Sequence, residues 1–152
     1  MERQDKIMQI RSHIADMGMV IEKELPEQEV FIVSASELGL KNLVIDLEDE
    51  QILFKLSLGT LKDTFEDIDG KPVSRQDIER EFFKLNNPFY EGGMKTGQFT
   101  LDELDENVLV FAEQEFLNSM DLESFKNVVT GFSEVLVEKI DFIQYATESK
   151  GV

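Results

Sequence analysis

The chain has 152 residues, and its 32 Asp and Glu residues outnumber its 15 Lys and Arg residues, which gives a formal net charge of −17. Such a charge repels nucleic-acid phosphates and anionic membranes, so we expect neither as a direct partner. The absence of cysteine excludes structural disulfides, thiolate metal sites and a cysteine nucleophile.

The apolar fraction of 41% is that of a folded globular protein. We expect one domain over residues 1–146 and a flexible tail at residues 147–152. The charged N-terminal residues lead into no long apolar run, so we expect no secretory signal, no membrane span and a cytoplasmic location.

The first segment is predicted to be an amphipathic helix, because apolar side chains recur every three or four residues. The stripe consists of Ile7, Ile10, Ile14, Met17 and Ile21. The helix is predicted to end at Glu24-Leu25-Pro26, since a proline disfavours helical backbone in the residue before it. A strand is predicted next at Glu29–Val33, which is rich in β-branched and aromatic residues.

Two apolar runs joined by an acidic turn predict a β-hairpin over Leu40–Leu58. Alternating apolar residues in its second run are typical of a half-buried strand, and the turn Glu48–Glu50 is too polar to be buried. The same pattern returns later in the chain. It predicts a second hairpin from strands at Gln98–Leu101 and Asn107–Phe116, joined by Asp102–Glu106.

Between the hairpins, Thr60–Pro72 is predicted to be irregular, and Ser74 is predicted to cap a helix that ends at Asn86-Asn87-Pro88. A final long helix is predicted from Asp121 or Ser119 to Ile143, with a broad apolar face. The predicted element order is α-β-β-β-α-β-β-α. The fold class is therefore α+β, with a largely antiparallel sheet made of two hairpin units plus one strand.

The segment Asp67-Ile68-Asp69-Gly70 matches part of a calcium-binding loop. Aligning Gly70 as the central glycine places Phe65 at the first ligand position and Gln76 at the twelfth, where carboxylates are required. The segment is therefore better interpreted as an Asp-Gly turn. Tight calcium or magnesium binding measured by calorimetry would favour a metal-dependent enzyme instead.

The other candidate catalytic motifs fail on their chemistry. Acids at exposed hairpin tips lack the burial that keeps one carboxyl of a hydrolytic pair protonated. In the glycine-containing loop Gly92–Gly97, Met94 precedes Lys95, so the spacing of a phosphate-binding loop is absent. His13 is the only histidine, and no serine–histidine–aspartate arrangement is visible around it. We expect no catalytic residue, no metal site and no cofactor.

Several segments together resemble a known superfamily. They are Leu85-Asn86, Gly97–Asp102, Asn107–Phe111 and the helix Asp121–Ile143, together with the opening hairpin and the N-terminal helix. In these segments and in its element order, the chain resembles class I type III secretion chaperones (the Tir-chaperone family) and the YbjN-like proteins of related fold. The resemblance implies a homodimer that binds an extended segment of a client protein along helix and sheet surfaces, without ATP.

The leading hypothesis is a non-enzymatic protein-binding module whose client segment is basic or amphipathic. The family architecture implies client contacts at Ile7, Ile10, Ile14, Met17, Val30 and Ile32. It implies a dimer contact at Ile78, Phe82 and Leu85. Two alternatives remain open: a YbjN-like regulatory or stress protein, and a small metal-dependent enzyme that uses the acidic loop around Asp67 and Asp69.

Overall fold

A computed structural model describes residues 3–61, 64–66, 72–90, 93–94 and 97–147. The helices of these residues are α1 (Arg3–Asp16), α2 (Arg75–Leu85), α3 (Leu122–Glu138) and α4 (Ile140–Ala146). The strands are β1 (Val20–Leu25), β2 (Val30–Ala35), β3 (Leu40–Leu47), β4 (Gln51–Thr60), β5 (Thr64–Glu66), β6 (Pro72–Ser74), β7 (Gln98–Leu101) and β8 (Val108–Phe116).

Six of these strands form one antiparallel sheet in the order β1-β2-β3-β4-β8-β7, while β5 and β6 pair separately. Both predicted hairpins are confirmed. β3 pairs with β4 through partners such as Ile45 and Phe54, and β7 pairs with β8 through partners such as Phe99 and Phe111. The α+β class with a largely antiparallel sheet is therefore confirmed as well.

The chain divides into two compact units, and the first comprises Met1–Leu56 and Glu113–Val135. Its core forms where α1 and α3 cover the sheet with buried aromatic and aliphatic side chains. The ring of Phe54 lies 5.7 Å from that of Phe125 and 6.3 Å from that of Phe132, between ring centroids. Tilted rings at these separations are favourable aromatic pairs, so the strand that carries Phe54 is fixed against α3.

The second unit comprises Ser57–Ala112 and Leu136–Val152. Its core is an aromatic cluster in which Phe99 lies 5.3 Å from Phe111 and 5.4 Å from Phe142, between ring centroids. Phe82 of α2 joins the cluster, with its ring 5.9 Å from that of Phe142. These contacts hold α2, α4 and the β7–β8 hairpin together.

The prediction of a helix that continues to Leu25 is wrong, because α1 ends at Asp16 and Val20–Leu25 is strand β1. Gly18 has a φ of +70°, the left-handed conformation that ends many helices. The amide of Gly18 donates to the carbonyl of Ala15, and that of Met19 to the carbonyl of Ile14. This is a Schellman motif, so the apolar stripe at Met17 and Ile21 continues past the point where the backbone stops being helical.

The predicted final helix is divided in two at Lys139, whose φ of −110° and ψ of 16° depart from helical values. The apolar spacing of Leu136, Ile140 and Ile143 continues through the break, which explains why the sequence predicts one helix. Its predicted start is confirmed: the amide of Ser124 donates to Oδ1 of Asp121 at 2.8 Å.

Two further segments differ from expectation. The stretch Thr60–Pro72, predicted to be irregular, contributes β5 and the start of the β5–β6 pair. Thr147, the first residue of the predicted tail, is buried and forms an isolated antiparallel bridge with Leu61. Residues 148–152 lie outside the described part of the chain, so the tail stays a prediction.

Candidate functional site

A groove of about 130 Å³ lies between α1 and the β1–β2 hairpin in the first unit. Its lining consists of Gln4, Ile7, Arg11, Glu24, Leu25, Pro26, Glu29, Val30 and Phe31. Helical spacing brings the α1 residues to one face, because positions four apart along a helix lie above one another. The hairpin turn brings the remaining residues opposite that face.

The floor of the groove is apolar. Phe31 is buried at 1% exposure, whereas Ile7, Leu25 and Val30 are half-buried and retain surface toward the groove. Leu25 and Val30 are paired residues of β1 and β2. The turn between them is tight, with Glu29 at a φ of +55° and its amide donating to the carbonyl of Pro26 at 3.2 Å.

Two ion pairs connect α1 to the β1–β2 hairpin and involve both glutamates of the groove lining. Arg11 pairs with Glu24, and its guanidinium carbon lies 5.7 Å from the ring centroid of Phe31, in the range of a cation–π contact. Arg3 pairs with Glu29, with Nε donating to Oε2 at 2.6 Å. Both glutamates that line the groove, Glu24 and Glu29, are therefore paired with an arginine of α1.

Arg3 also ties α1 to the acidic β3–β4 turn. Its guanidinium donates to the carbonyl oxygens of Leu47 and Glu48 at 2.6 Å and of Asp49 at 2.9 Å. The carboxylates of this turn remain exposed, as the sequence predicts. The turn therefore supplies backbone acceptors that position α1.

The predicted client contacts fall into three groups. Ile7 and Val30 line the groove. Ile10 and Ile14 are only 1% exposed, so in this structure their side chains belong to the core. Met17 and Ile32 are half-buried and lie outside the groove lining.

Sequence reasoning missed most of the hairpin wall. Glu24, Leu25 and Pro26 were assigned to the end of a helix, which hid their pairing with β2. The signal that could have found them is Gly18 followed by the β-branched pair Val20-Ile21, which is typical of a helix stop and a strand start.

The predicted dimer contacts differ in their burial, and Phe82 and Leu85 are half-buried. Ile78 is fully buried, Phe82 packs on Phe142, and the carbonyl of Leu85 accepts from the amide of Met94 at 2.7 Å. The exposed aromatic residues near α2 are Phe83, Phe89 and Tyr90, which we call the α2 aromatic patch. Phe83 is 64% exposed and Phe89 is 95% exposed. The rings of Phe83 and Tyr90 meet edge to face at 6.0 Å.

His13 is a core residue. It is buried, its Nε2 lies 3.2 Å from the carbonyl oxygen of Met120, and its ring lies 5.6 Å from that of Phe125. Within the described residues, no group of three potential ligands could hold a metal ion. The acidic loop Asp67–Gly70 lies outside the described residues.

The family model CesT_Tir_1 matches residues 3–148, so the chain belongs to the CesT_Tir_1 family. A comparison with curated proteins gives no match. This membership confirms the resemblance to secretion chaperones, and the protein is a client-binding chaperone of that type.

Two solved structures, SycH and YbjN, show the same fold. The Yersinia pestis type III secretion chaperone SycH, solved with a stable fragment of YscM2, has 15% identity and a TM-score of 0.51, with 87% of this chain and 97% of that chain covered. YbjN from E. coli has 20% identity and a TM-score of 0.56, with 90% and 87% covered. The ExoU-SpcU complex of the Pseudomonas aeruginosa type III secretion system has 13% identity, a TM-score of 0.49, and 68% and 75% covered.

In the part of the chain that the structure describes, no helix combines the length and the apolar character needed to cross a membrane.

Proposed function

We propose that this chaperone holds an extended segment of its client in the groove between α1 and the β1–β2 hairpin. The observation that carries the proposal is an apolar floor of Ile7, Leu25 and Val30 beside a strand at the edge of the sheet. An apolar groove supplies burial for client side chains, and an edge strand supplies backbone partners for an extended chain.

The edge strand β1 is suited to an added strand. It stands first in the strand order of the described sheet, and four of its six residues are exposed. Val20 and Ile21 are exposed apolar residues there. The register shift between Ile21 and Lys23 and the charge of Lys23 are features that keep edge strands from pairing indiscriminately. A client therefore has to match this edge to bind it.

The client segment is basic or amphipathic in this proposal. Residues 20–30 of the hairpin contain four glutamates and one lysine, in a chain with a net charge of −17. A complementary segment brings positive charge to the exposed carboxylates of Glu22 and Glu27 and apolar side chains to the floor. The same surface disfavours nucleic acid and anionic membranes.

The protein is also proposed to act without catalysis, without a cofactor and in the cytoplasm. The family is one of chaperones, and the groove offers apolar side chains and ion-paired residues for binding. This composition suits the reversible holding of a client segment.

A second copy of the chain is proposed to dock on the α2 aromatic patch. α2 carries three basic and three acidic residues, so it is neutral in a chain whose overall charge repels its own copy. Exposed Phe83, Phe89 and Tyr90 supply apolar surface beside it. We propose these aromatic residues as the dimer contact because they are more exposed than Ile78, which is buried, and than Phe82 and Leu85, which are half-buried.

The test begins with affinity purification of the full chain from its native host and identification of the retained protein. A purified fragment of that protein is then titrated against wild type, Ile7→Asp and Met8→Asp. Met8 follows Ile7 on α1 but is 62% exposed and lies outside the groove lining, so it is the matched control.

We expect Ile7→Asp to weaken fragment binding by about tenfold or more, because a charge is buried in an apolar contact, and Met8→Asp to bind as wild type does. Equal affinities for all three proteins would show that the fragment does not use the groove. A native-host chain that retains no protein under any condition would count against client binding itself.

A further inference from the structure

We propose that Arg11 is a displaceable lid over the client groove, moved aside when an apolar side chain of the client enters. The inference rests on the proposed function, since the occupant is part of the client segment. In this proposal, the side chain of Arg11 controls access to the apolar floor of the groove.

The lid is held from two directions. Arg11 pairs with Glu24 across the groove, and its guanidinium lies over the ring of Phe31 with the carbon 5.7 Å from the ring centroid. All three residues line the groove. In this position, the guanidinium occupies the place from which a client side chain would contact the aromatic floor.

The lid is solvent-accessible, whereas the floor is buried. The side chains of Arg11 and Glu24 are 48% and 30% exposed, and ion pairs in such positions are weak and screened by salt. Phe31 is 1% exposed and paired with Ile45 in the sheet, so it stays in place when Arg11 leaves. When Arg11 is displaced, the solvent-accessible ion pair with Glu24 is lost, and a buried apolar contact between the client side chain and Phe31 is gained.

The groove approaches the size of a single side chain, and displacement of Arg11 supplies the remaining space. A cavity of about 150 Å³ holds a benzene-sized group, and with Arg11 in place the groove is smaller, at about 130 Å³. Moving the guanidinium extends the space over Phe31. A branched aliphatic or aromatic side chain is the occupant that gains most from this contact, because it has no polar atom to desolvate.

The second ion pair has a different role. Arg3 pairs with Glu29, which also lines the groove, but its guanidinium also donates to three carbonyl oxygens at the β3–β4 turn. Arg3 is therefore anchored to the sheet, whereas Arg11 is held by one carboxylate and one ring. Of the two arginines, Arg11 is the lid.

The experiment is a fluorescence titration of the full chain with Nile red, a neutral apolar dye whose binding does not depend on its own charge. Arg11→Ala is expected to raise dye affinity by about two- to fivefold, the factor that corresponds to an exposed ion pair. Glu24→Gln is expected to raise it less, since the contact with Phe31 remains. The matched control is Arg80→Ala, which removes an exposed pair with Asp77 in the other unit and is expected to change nothing.

Adding Ile7→Asp to Arg11→Ala locates the dye, and we expect it to remove the gain. Persistence of the gain would place the dye elsewhere and overturn the lid, as would an unchanged or lower affinity of Arg11→Ala. If Arg11→Ala does not fold, Arg11→Met keeps the aliphatic stem without the charge. Salt should then raise dye affinity more in wild type than in Arg11→Met, and an equal salt response would also overturn the lid.

Failure of the lid is distinguishable from failure of the client proposal. Dye binding reports access to the floor without any client, while the Ile7→Asp and Met8→Asp titration reports client binding without reference to Arg11. If Arg11 is a lid but the groove does not bind the client, only the dye titration gives the expected result. If the groove binds the client but Arg11 is not a lid, only the fragment titration does.

Discussion

The side chain of Asn86 pairs with the backbone of Phe99 as a neighbouring strand would. Its Nδ2 donates to the Phe99 carbonyl at 2.8 Å, and its Oδ1 accepts from the Phe99 amide at 2.8 Å. Asn86 directly follows α2, and Phe99 lies in β7, which is last in the strand order of the described sheet. One amide thus satisfies both backbone groups of an edge residue and fixes the end of α2 to the strand.

We therefore expect Asn86→Ala to lower the free energy of unfolding by about 1–3 kcal/mol, because two part-buried hydrogen bonds are lost. Urea denaturation followed by circular dichroism measures the change. Asn127→Ala, at an exposed position of α3, is the control and should leave stability unchanged or slightly higher. An Asn86→Ala chain as stable as wild type would show that water replaces the amide without cost.

Gly18 and Gly131 predict opposite effects of the same substitution. Neither would place a new Cβ within 4 Å of another atom, so packing does not contribute. Gly18 has a φ of +70°, and Gly18→Ala should cost about 1 kcal/mol because a side chain disfavours this conformation. Gly131 lies inside α3, and Gly131→Ala should stabilise by about 1 kcal/mol.

Thermal and urea unfolding of the two variants check the signs. A loss of stability in Gly131→Ala would indicate that a side chain is not tolerated at this position, for example because another chain approaches the backbone closely. A neutral Gly18→Ala would show that the Schellman turn adapts to a side chain.

Asp121 predicts a pH dependence at the start of α3. The Ser124 amide and hydroxyl hydrogen-bond its carboxylate and hold the pKa of Asp121 below the ordinary value of 3.8, helped by the nearby His13. A lowered pKa in the folded state means that this stabilisation is complete above the ordinary value and is lost as pH falls through the folded one. Asp121→Ala should lower the melting temperature at neutral pH. The variant should also lack the part of the fall in melting temperature at acidic pH that comes from protonation of Asp121.

The comparison uses melting curves of wild type and Asp121→Ala between neutral and acidic pH. The two curves should converge as the carboxylate becomes protonated. A constant difference in melting temperature across the whole range would mean that the cap does not act through its charge.

The α2 aromatic patch predicts a residue-specific effect on assembly. Phe83→Asp should shift the sedimentation equilibrium toward monomer, because a charge replaces exposed aromatic surface at the proposed dimer contact. Phe116→Asp is matched to it, since Phe116 is also 64% exposed but lies in the first unit, and it should leave assembly unchanged. A monomeric wild type, or equal effects of both variants, would contradict the proposed contact.

The sequence predicts most of the sheet because apolar alternation and acidic turns are local signals. The β3–β4 hairpin and the β7–β8 hairpin follow from them to within a residue or two at most ends. The end of α1 could not be predicted from apolar spacing, since Met17 and Ile21 extend the helical period beyond Gly18. The conformation of one glycine decided between helix and strand.

The residues that line the groove could also be predicted only in part. Ile7 and Val30 were predicted as client contacts and line it, because a helix stripe and a strand face are visible in the sequence. Whether a stripe residue is core or surface depends on the elements that cover it, and Ile10 and Ile14 are covered. Arg11 and Glu24 carry no motif, since their pairing depends on the hairpin that the helix prediction obscured.

The most direct measurement of the central claim is amide hydrogen exchange of the full chain with and without its purified client fragment. An extended segment in the groove should slow exchange in β1, where added strand pairing protects free amides, and in the adjoining face of α1. Exchange in α2 and at Phe89 and Tyr90 should be unchanged. Protection confined to α2 and the α2 aromatic patch, with β1 unaffected, would contradict the account.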